Sequence, residues 1–121
     1  MKILLVDDSL TMRNIQHKAL NVLGYSDIIE AEDGQQALAQ VAAHSPGLIL
    51  LDWNMPVMNG MEFLKAFRAE NKTTPVIMVT TEAEKSRVIE AIKAGVSNYM
   101  VKPFTPDVLK ARIDETLAKA A

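Results

Sequence analysis

Residues 48–60 read LILLDWNMPVMNG: four large aliphatic side chains in a row (Leu48, Ile49, Leu50, Leu51), ended abruptly by Asp52. A strand with one wet face alternates apolar and polar residues, whereas a parallel strand covered on both faces reads as an unbroken apolar run. Residues 48–51 are of the second kind. Working outward, four more short runs recur at steady intervals: Ile3–Val6, Ile28–Ala31, residues 76–79 and residues 99–101, the second and fifth being the least apolar. Between them lie stretches with helical spacing, carried by Met12, Ile15, Ala19, Val22 and Leu23, then Ala37, Leu38 and Val41, then Met61, Leu64 and Phe67. Val88, Ile89 and Ile92 mark a fourth helix, and Leu109, Ile113 and Leu117 a fifth.

Punctuation fits these boundaries. Gly24 and Gly95 stand where a helix end calls for a left-handed residue, and Thr105-Pro106 reads as an N-cap followed by a first-turn proline. The order is (βα)5, which predicts an α/β fold: a doubly wound, five-stranded parallel sheet with right-handed crossovers and helices on both faces. With 121 residues the chain suits one domain, over 1–121, and no repeat, low-complexity tract or linker is visible.

Composition excludes several function classes. Hydrophobic residues make up 49% and charged residues 23%, the balance of an ordinary globular protein, and no apolar run approaches the roughly 20 residues that cross a bilayer. MKILLVDD lacks the apolar core and cleavage site of a signal peptide, so a cytoplasmic location without membrane contact is expected. The absence of cysteine rules out disulfides and thiolate metal sites, and a formal charge of -2 carries no basic footprint for nucleic acid.

In an open α/β sheet, ligands bind beyond the carboxyl ends of the strands, so the residues there matter most. Strand 1 is followed by Asp7-Asp8, strand 3 by Asp52, strand 4 by Thr80 and strand 5 by Lys102. Three carboxylates within about 5 Å would repel by about 3 kcal/mol per pair at an effective dielectric near 20. A hard divalent cation relieves that repulsion, and Mg²⁺ suits a few carboxylates plus a phosphate oxygen. Asp52 then has the character of a nucleophile toward phosphorus, Lys102 offers a positive charge to the transferring group, and Thr80 a hydroxyl donor. Each residue alone has a plainer reading: Asp7 or Asp8 as a helix N-cap, Thr81-Glu82-Ala83-Glu84 as a capping box, Lys102 as a solvated surface residue. Together they are something that sheet formation does not require. His17 and His44 have no ligand spacing and read as surface residues, and the seven methionines as packing material.

At these residues the chain resembles the response-regulator receiver domains, and among them the chemotaxis (CheY-like) receivers. The matching segments are ILLVDDSLTMR (3–13), LILLDWNMPVMNG (48–60), PVIMVTTEAE (75–84) and AGVSNYMVKPF (94–104), spread over nearly the whole chain. The resemblance implies flavodoxin-like topology with strand order 2-1-3-4-5. It implies Asp52 as phosphoacceptor; Asp7, Asp8, Asp52 and the backbone carbonyl of Asn54 as ligands of Mg²⁺, or of Mn²⁺; and Thr80 and Lys102 as the phosphoryl-contacting pair. It also implies Tyr99 as an aromatic switch and a cis Lys102-Pro103 bond. The implied partners are a CheA-like sensor histidine kinase, an output protein binding the helix 4, strand 5, helix 5 face of the phosphorylated form, and a phosphatase. The protein is expected to be a monomer whose only activities are its own phosphorylation and dephosphorylation. Three departures stand out: a shorter connection near residues 70–74, Thr81 in place of a small residue, and the acid Glu84 where chemotaxis receivers are often basic.

Rival readings make different demands. A phosphohydrolase of the haloacid dehalogenase type wants an acid two residues after its nucleophile, where this chain has Asn54. A flavodoxin-like FMN binder wants hydroxyls and glycines after strand 1, where Asp7-Asp8 would repel the phosphate. A receiver-like interaction module that no longer takes phosphate would be expected to have lost at least one of the five positions. A receiver trimmed from a longer regulator differs from a stand-alone one only beyond the chain, and the stand-alone reading is preferred.

Overall fold

Three of the five strands, the central ones, bury nearly every side chain, as their apolar runs require, and the two edge strands are only partly buried. The computed structural model describes residues 1–120, leaving aside the side chains of Glu82, Ala83 and Lys85. Along the chain come β1 (Ile3–Val6), α1 (Leu10–Val22), β2 (Ile28–Ala31), α2 (Gly34–His44), β3 (Leu48–Asp52), α3 (Gly60–Glu70) and β4 (Val76–Thr81). A 3-10 segment (Glu82–Arg87) then leads into α4 (Val88–Ala94), followed by β5 (Asn98–Lys102) and α5 (Pro106–Ala120). All strand pairs are parallel, in the order β2-β1-β3-β4-β5. Among the described residues no helix is long and apolar enough to cross a membrane.

The pleat divides the core into two layers. Leu4, Val6, Ile49, Leu51, Val76 and Met78 point to one face with Phe63, Leu64 and Phe67 of α3 and with Val88 and Ala91 of α4. Ile3, Leu5, Leu48, Leu50, Ile77, Val79 and Met100 point to the other, against Ala19 and Leu20 of α1 and Leu109 and Ile113 of α5. Gly24 and Gly95 have φ of 95° and 110°, and Thr105 Oγ1 accepts from Val108 N at the start of α5, as expected.

Two helices present a different face from the one their apolar spacing suggests. In α1 the buried positions are Arg13, Gln16, Ala19 and Leu20, while Ile15 and Val22 are exposed. In α4 Val88 and Ala91 are buried, with Ile89 and Ile92 in solvent. Arg13 can take an inward position because it finds acceptors there, whereas the buried Gln16 Oε1 has no hydrogen-bond partner among the described residues. In α4 Val88 and Ala91 take the inward positions, in the core layer they share with α3.

Local capping also departs from the simplest reading. The N-cap of α1 is Ser9, whose hydroxyl accepts from Met12 N, so neither Asp7 nor Asp8 caps that helix. Nor does Thr81-Glu82-Ala83-Glu84 form a capping box. Thr81 Oγ1 instead bonds the Glu84 carboxylate at 3.2 Å, and α4 starts without a side-chain cap.

Candidate functional site

Strand register decides which acids meet. Val6 pairs with Leu51, so the next residues on the two strands, Asp7 and Asp52, stand side by side at the sheet's carboxyl edge. Both follow the pleat onto the face covered by α1 and α5. Asp7 is 1% and Asp52 8% exposed, whereas Asp8 is in solvent at the rim. One carboxylate oxygen from each of Asp7, Asp8 and Asp52 lies within 4.8 Å of the others.

Lys102 comes from farther away. It pairs with Thr81 on β4, which puts its backbone two strands, about 10 Å, from β3. Its side chain reaches back over the end of β4 and sets Nζ 3.1 Å from Asp7 Oδ2 and 3.3 Å from Asp52 Oδ1. Asp52 Oδ1 also accepts from Trp53 N at 3.0 Å, while Asp7 Oδ1 accepts from Ser9 N at 2.9 Å. The Lys102-Pro103 peptide bond is cis.

Gly60 lets the first turn of α3 come in under this edge. A Cβ there would stand 2.7 Å from the Asp52 carbonyl oxygen and from a ring carbon of Trp53. Sequence periodicity does not single Gly60 out, although a glycine placed at a helix start just after an acidic strand end is the available signal.

These surroundings shift the titration of the charged groups. Burial is the largest cause pushing the Asp52 carboxyl up to about 6, the charge of Asp7 adds to it, and the charge and hydrogen bond of Lys102 oppose it. Lys102 loses some proton affinity to burial, but the charges of Asp52 and Asp7 outweigh that and hold the ammonium above its ordinary range. Near neutral pH the site is two buried carboxylates and the exposed Asp8 around one ammonium, a net negative charge enclosed by oxygen donors.

Other expected members stand apart from this cluster. Thr80 belongs to β4 and shares the pleat side of Met78, the α3–α4 face, and its hydroxyl lies 3.4 Å from the Thr81 carbonyl oxygen rather than against a carboxylate. Tyr99, partly buried, pairs with Met78 and so lies one pleat back from Thr80 on the neighbouring strand. The guanidinium carbon of Arg112 is 5.8 Å from the centre of its ring. Asn54 is exposed, and its side-chain amide donates to Glu84, which also takes the Thr81 contact. The acid Glu84 thereby ties the loop after β3 to the end of β4. His17 contributes nothing to the cluster; its Nδ1 is 3.6 Å from Glu30 on the far side of Arg13. The shorter connection at residues 70–74 is closed by Asn71, whose side-chain oxygen accepts from Thr73 N and Thr74 N, at the opposite edge of the sheet.

The arrangement suits a hard cation. All donors are carboxylate oxygens, and trans ligands of Mg²⁺ lie about 4 Å apart, so a 4.8 Å cluster needs only a small contraction or one water-bridged acid.

Comparison with known proteins agrees with the geometry: residues 3–114 match the sequence model of the response regulator receiver domain. The chain belongs to the response regulator receiver domains. The receiver is 52% identical over 120 residues to the chemotaxis protein CheY1 of Helicobacter pylori, an alignment covering 97% of both chains. It is 47% identical to the chemotaxis protein CheY of Pseudomonas aeruginosa, with 95% of this chain and 94% of the relative covered. Among solved structures, the chemotaxis response regulator CheY4 of Vibrio cholerae superposes with a TM-score of 0.84 at 38% identity, over 99% of this receiver and 98% of that chain. The receiver is therefore a signalling protein of the chemotaxis response-regulator type, with an acidic pocket of the kind in which receivers bind Mg²⁺.

Proposed function

We propose that this receiver, one domain over residues 1–121, accepts a phosphoryl group on Asp52 from a CheA-like sensor histidine kinase in the cytoplasm. Asp7, Asp8, Asp52 and the backbone carbonyl of Asn54 would hold Mg²⁺, or Mn²⁺ in its place. The observation that carries the reading is the Lys102 ammonium lying between the Asp7 and Asp52 carboxylates, drawn there across an intervening strand. Sheet stability asks for no such crossing.

When bound, the ion neutralises the acids and polarises the phosphoryl oxygens. The chain's own groups do the rest. Burial makes Asp52 a stronger base than an ordinary carboxylate while leaving it ionised near neutral pH. Its Oδ1 is engaged by Trp53 N and Lys102, and Oδ2, which accepts no hydrogen bond among the described residues, is the attacking oxygen. The phosphorus–nitrogen bond of the donor phosphohistidine breaks with its electron pair on the imidazole, which takes up a proton. Lys102 then moves its contact from Asp52 Oδ1 to a phosphoryl oxygen.

Output follows from Thr80. Its hydroxyl, now toward the Thr81 carbonyl, swings to the phosphoryl oxygen, and Tyr99 turns into the space behind it. One new charge-assisted hydrogen bond and the Lys102 contact supply the few kcal/mol that such a two-state shift needs. The α4, β5, α5 face changes with Tyr99, and the exposed Ile89 and Ile92 give it an apolar surface for the output partner. Thr81 at the pocket rim slows water attack on the aspartyl phosphate, and a phosphatase would shorten its lifetime.

Intact-mass spectrometry after incubation with acetyl phosphate and MgCl₂ tests the reading. The parent is expected to gain one phosphoryl mass, and Asp52→Asn none. An Asp52→Asn protein that still gains it would refute the assignment, and a parent that never does would favour the interaction module.

A further inference from the structure

Among the described residues Arg13 is the most deeply buried charged side chain outside the acid cluster, 6% exposed, in a helix whose apolar spacing would have put it on neither face in particular. Burying a guanidinium costs several kcal/mol unless its donors are matched. Here two hydrogen bonds and one longer ion pair match them. Nε donates to Glu30 Oε1 at 2.8 Å, Nη2 stands 3.8 Å from Glu32 Oε1, and Nη1 donates to the backbone carbonyl oxygen of Asp7.

The two glutamates would suffice to neutralise the charge. The carbonyl contact does something else, because Asp7 is then held from outside the pocket at every polar atom except Oδ2. Its N–H donates to Ala31 O at 3.1 Å, its carbonyl accepts from Arg13, and its Oδ1 accepts from Ser9 N. Oδ2 is what remains, and it is the atom turned into the pocket against Lys102. The same carbonyl belongs to the Asp7–Asp8 peptide plane, so Arg13 also fixes where the exposed Asp8 begins. Glu30 and Glu32, from the end of β2 and just beyond it, aim the guanidinium from the side opposite the pocket.

We propose that Arg13 is a positioning residue for the acidic pocket: through the Asp7 carbonyl it sets the spacing of the Asp7 and Asp8 carboxylates and thereby the affinity for Mg²⁺. The inference rests on the acidic pocket being the Mg²⁺ site. Lysine keeps the charge but cannot reproduce the fork, since one ammonium cannot serve the Asp7 carbonyl and the glutamates in the same directions. Groups that orient metal ligands from behind change affinity by about 10- to 100-fold when altered.

The full chain is titrated with MgCl₂ alone, with the fluorescence of Trp53, its only tryptophan and the neighbour of Asp52, as readout. Arg13→Lys is expected to raise the Mg²⁺ dissociation constant by about tenfold. In an Asp7→Asn background the same change should cost less than about twofold, since the ligand it positions has already been altered. A purely structural role would give equal losses in both backgrounds, and that result, or a dissociation constant within twofold of the parent, overturns the proposal. If Arg13→Lys does not fold, Glu30→Gln decides: it leaves the guanidinium but weakens its aim, and should raise the dissociation constant by about threefold, while an unchanged value overturns the proposal. The underlying reading fails separately, when Asp7→Asn and Asp52→Asn themselves bind Mg²⁺ as tightly as the parent.

Discussion

Asp52→Asn should make the metal-free protein more stable. In the fold, burial and the Asp7 charge raise the Asp52 carboxyl from 3.8 to about 6, so ionising it in place costs free energy that the unfolded chain does not spend. The difference of about two pH units corresponds to about 3 kcal/mol. Water at the pocket mouth screens part of it, and about 1–2 kcal/mol is the expected gain. A raised acid pKa means that the contribution of Asp52 to stability is fully present below pH 3.8 and is lost as pH rises through about 6. The advantage of asparagine, which never ionises, is therefore full above pH 6 and fades between pH 6 and 4. Urea unfolding in EDTA at pH 7.5, 5 and 4, followed by Trp53 fluorescence, measures it. Adding MgCl₂ should narrow the gap, because the ion stabilises the parent by about 1.4 kcal/mol at tenfold its dissociation constant and the variant less. A variant no more stable than the parent in EDTA at pH 7.5, or an advantage that grows toward pH 4, would refute the account of a desolvated, repelled carboxylate.

Three further outcomes are expected. Asp7→Asn removes the second cause of the Asp52 shift, so the Asp52 carboxyl, followed by carbon-13 NMR, should titrate below about 6, whereas Lys102→Met should move it higher; opposite signs would show that the charges couple differently. Val57 holds a φ of 66° in an exposed loop, with Met58 N bonded to Pro56 O at 2.7 Å. A branched residue there costs about 1–2 kcal/mol, so Val57→Asn should raise stability by about 1 kcal/mol in urea unfolding, and no gain would mean that the loop relaxes freely. Thr80→Ala should accept phosphate to a substantial degree yet leave the Tyr99 ring environment unchanged in proton NMR. A Tyr99 ring that moves fully in phosphorylated Thr80→Ala would place the switch elsewhere.

Much of this protein could be read along the chain because the relevant physics is local. Unbroken apolar runs such as residues 48–51 signal strands buried on both faces, Gly24 and Gly95 mark positive-φ helix ends, and Thr105-Pro106 opens a helix. An acid, a threonine or a lysine at the close of such a run stands at the ligand-binding edge of any parallel sheet, which is why Asp7, Asp52, Thr80 and Lys102 were legible as candidates. Tertiary structure decided what these residues touch. The register of β1 on β3 sets Asp7 beside Asp52, and Lys102 crosses a whole strand to reach them, while Thr80, nearer in the sheet, faces the other layer. Helix faces were decided there too. Apolar spacing in α1 and α4 fits more than one orientation, and the buried one is chosen by the packed neighbours: acceptors for Arg13 beside α1, and the α3 core layer that takes Val88 and Ala91 while Ile89 and Ile92 stay in solvent. A periodic pattern specifies an angle around a helix axis, and only the packed neighbours specify which angle is inside.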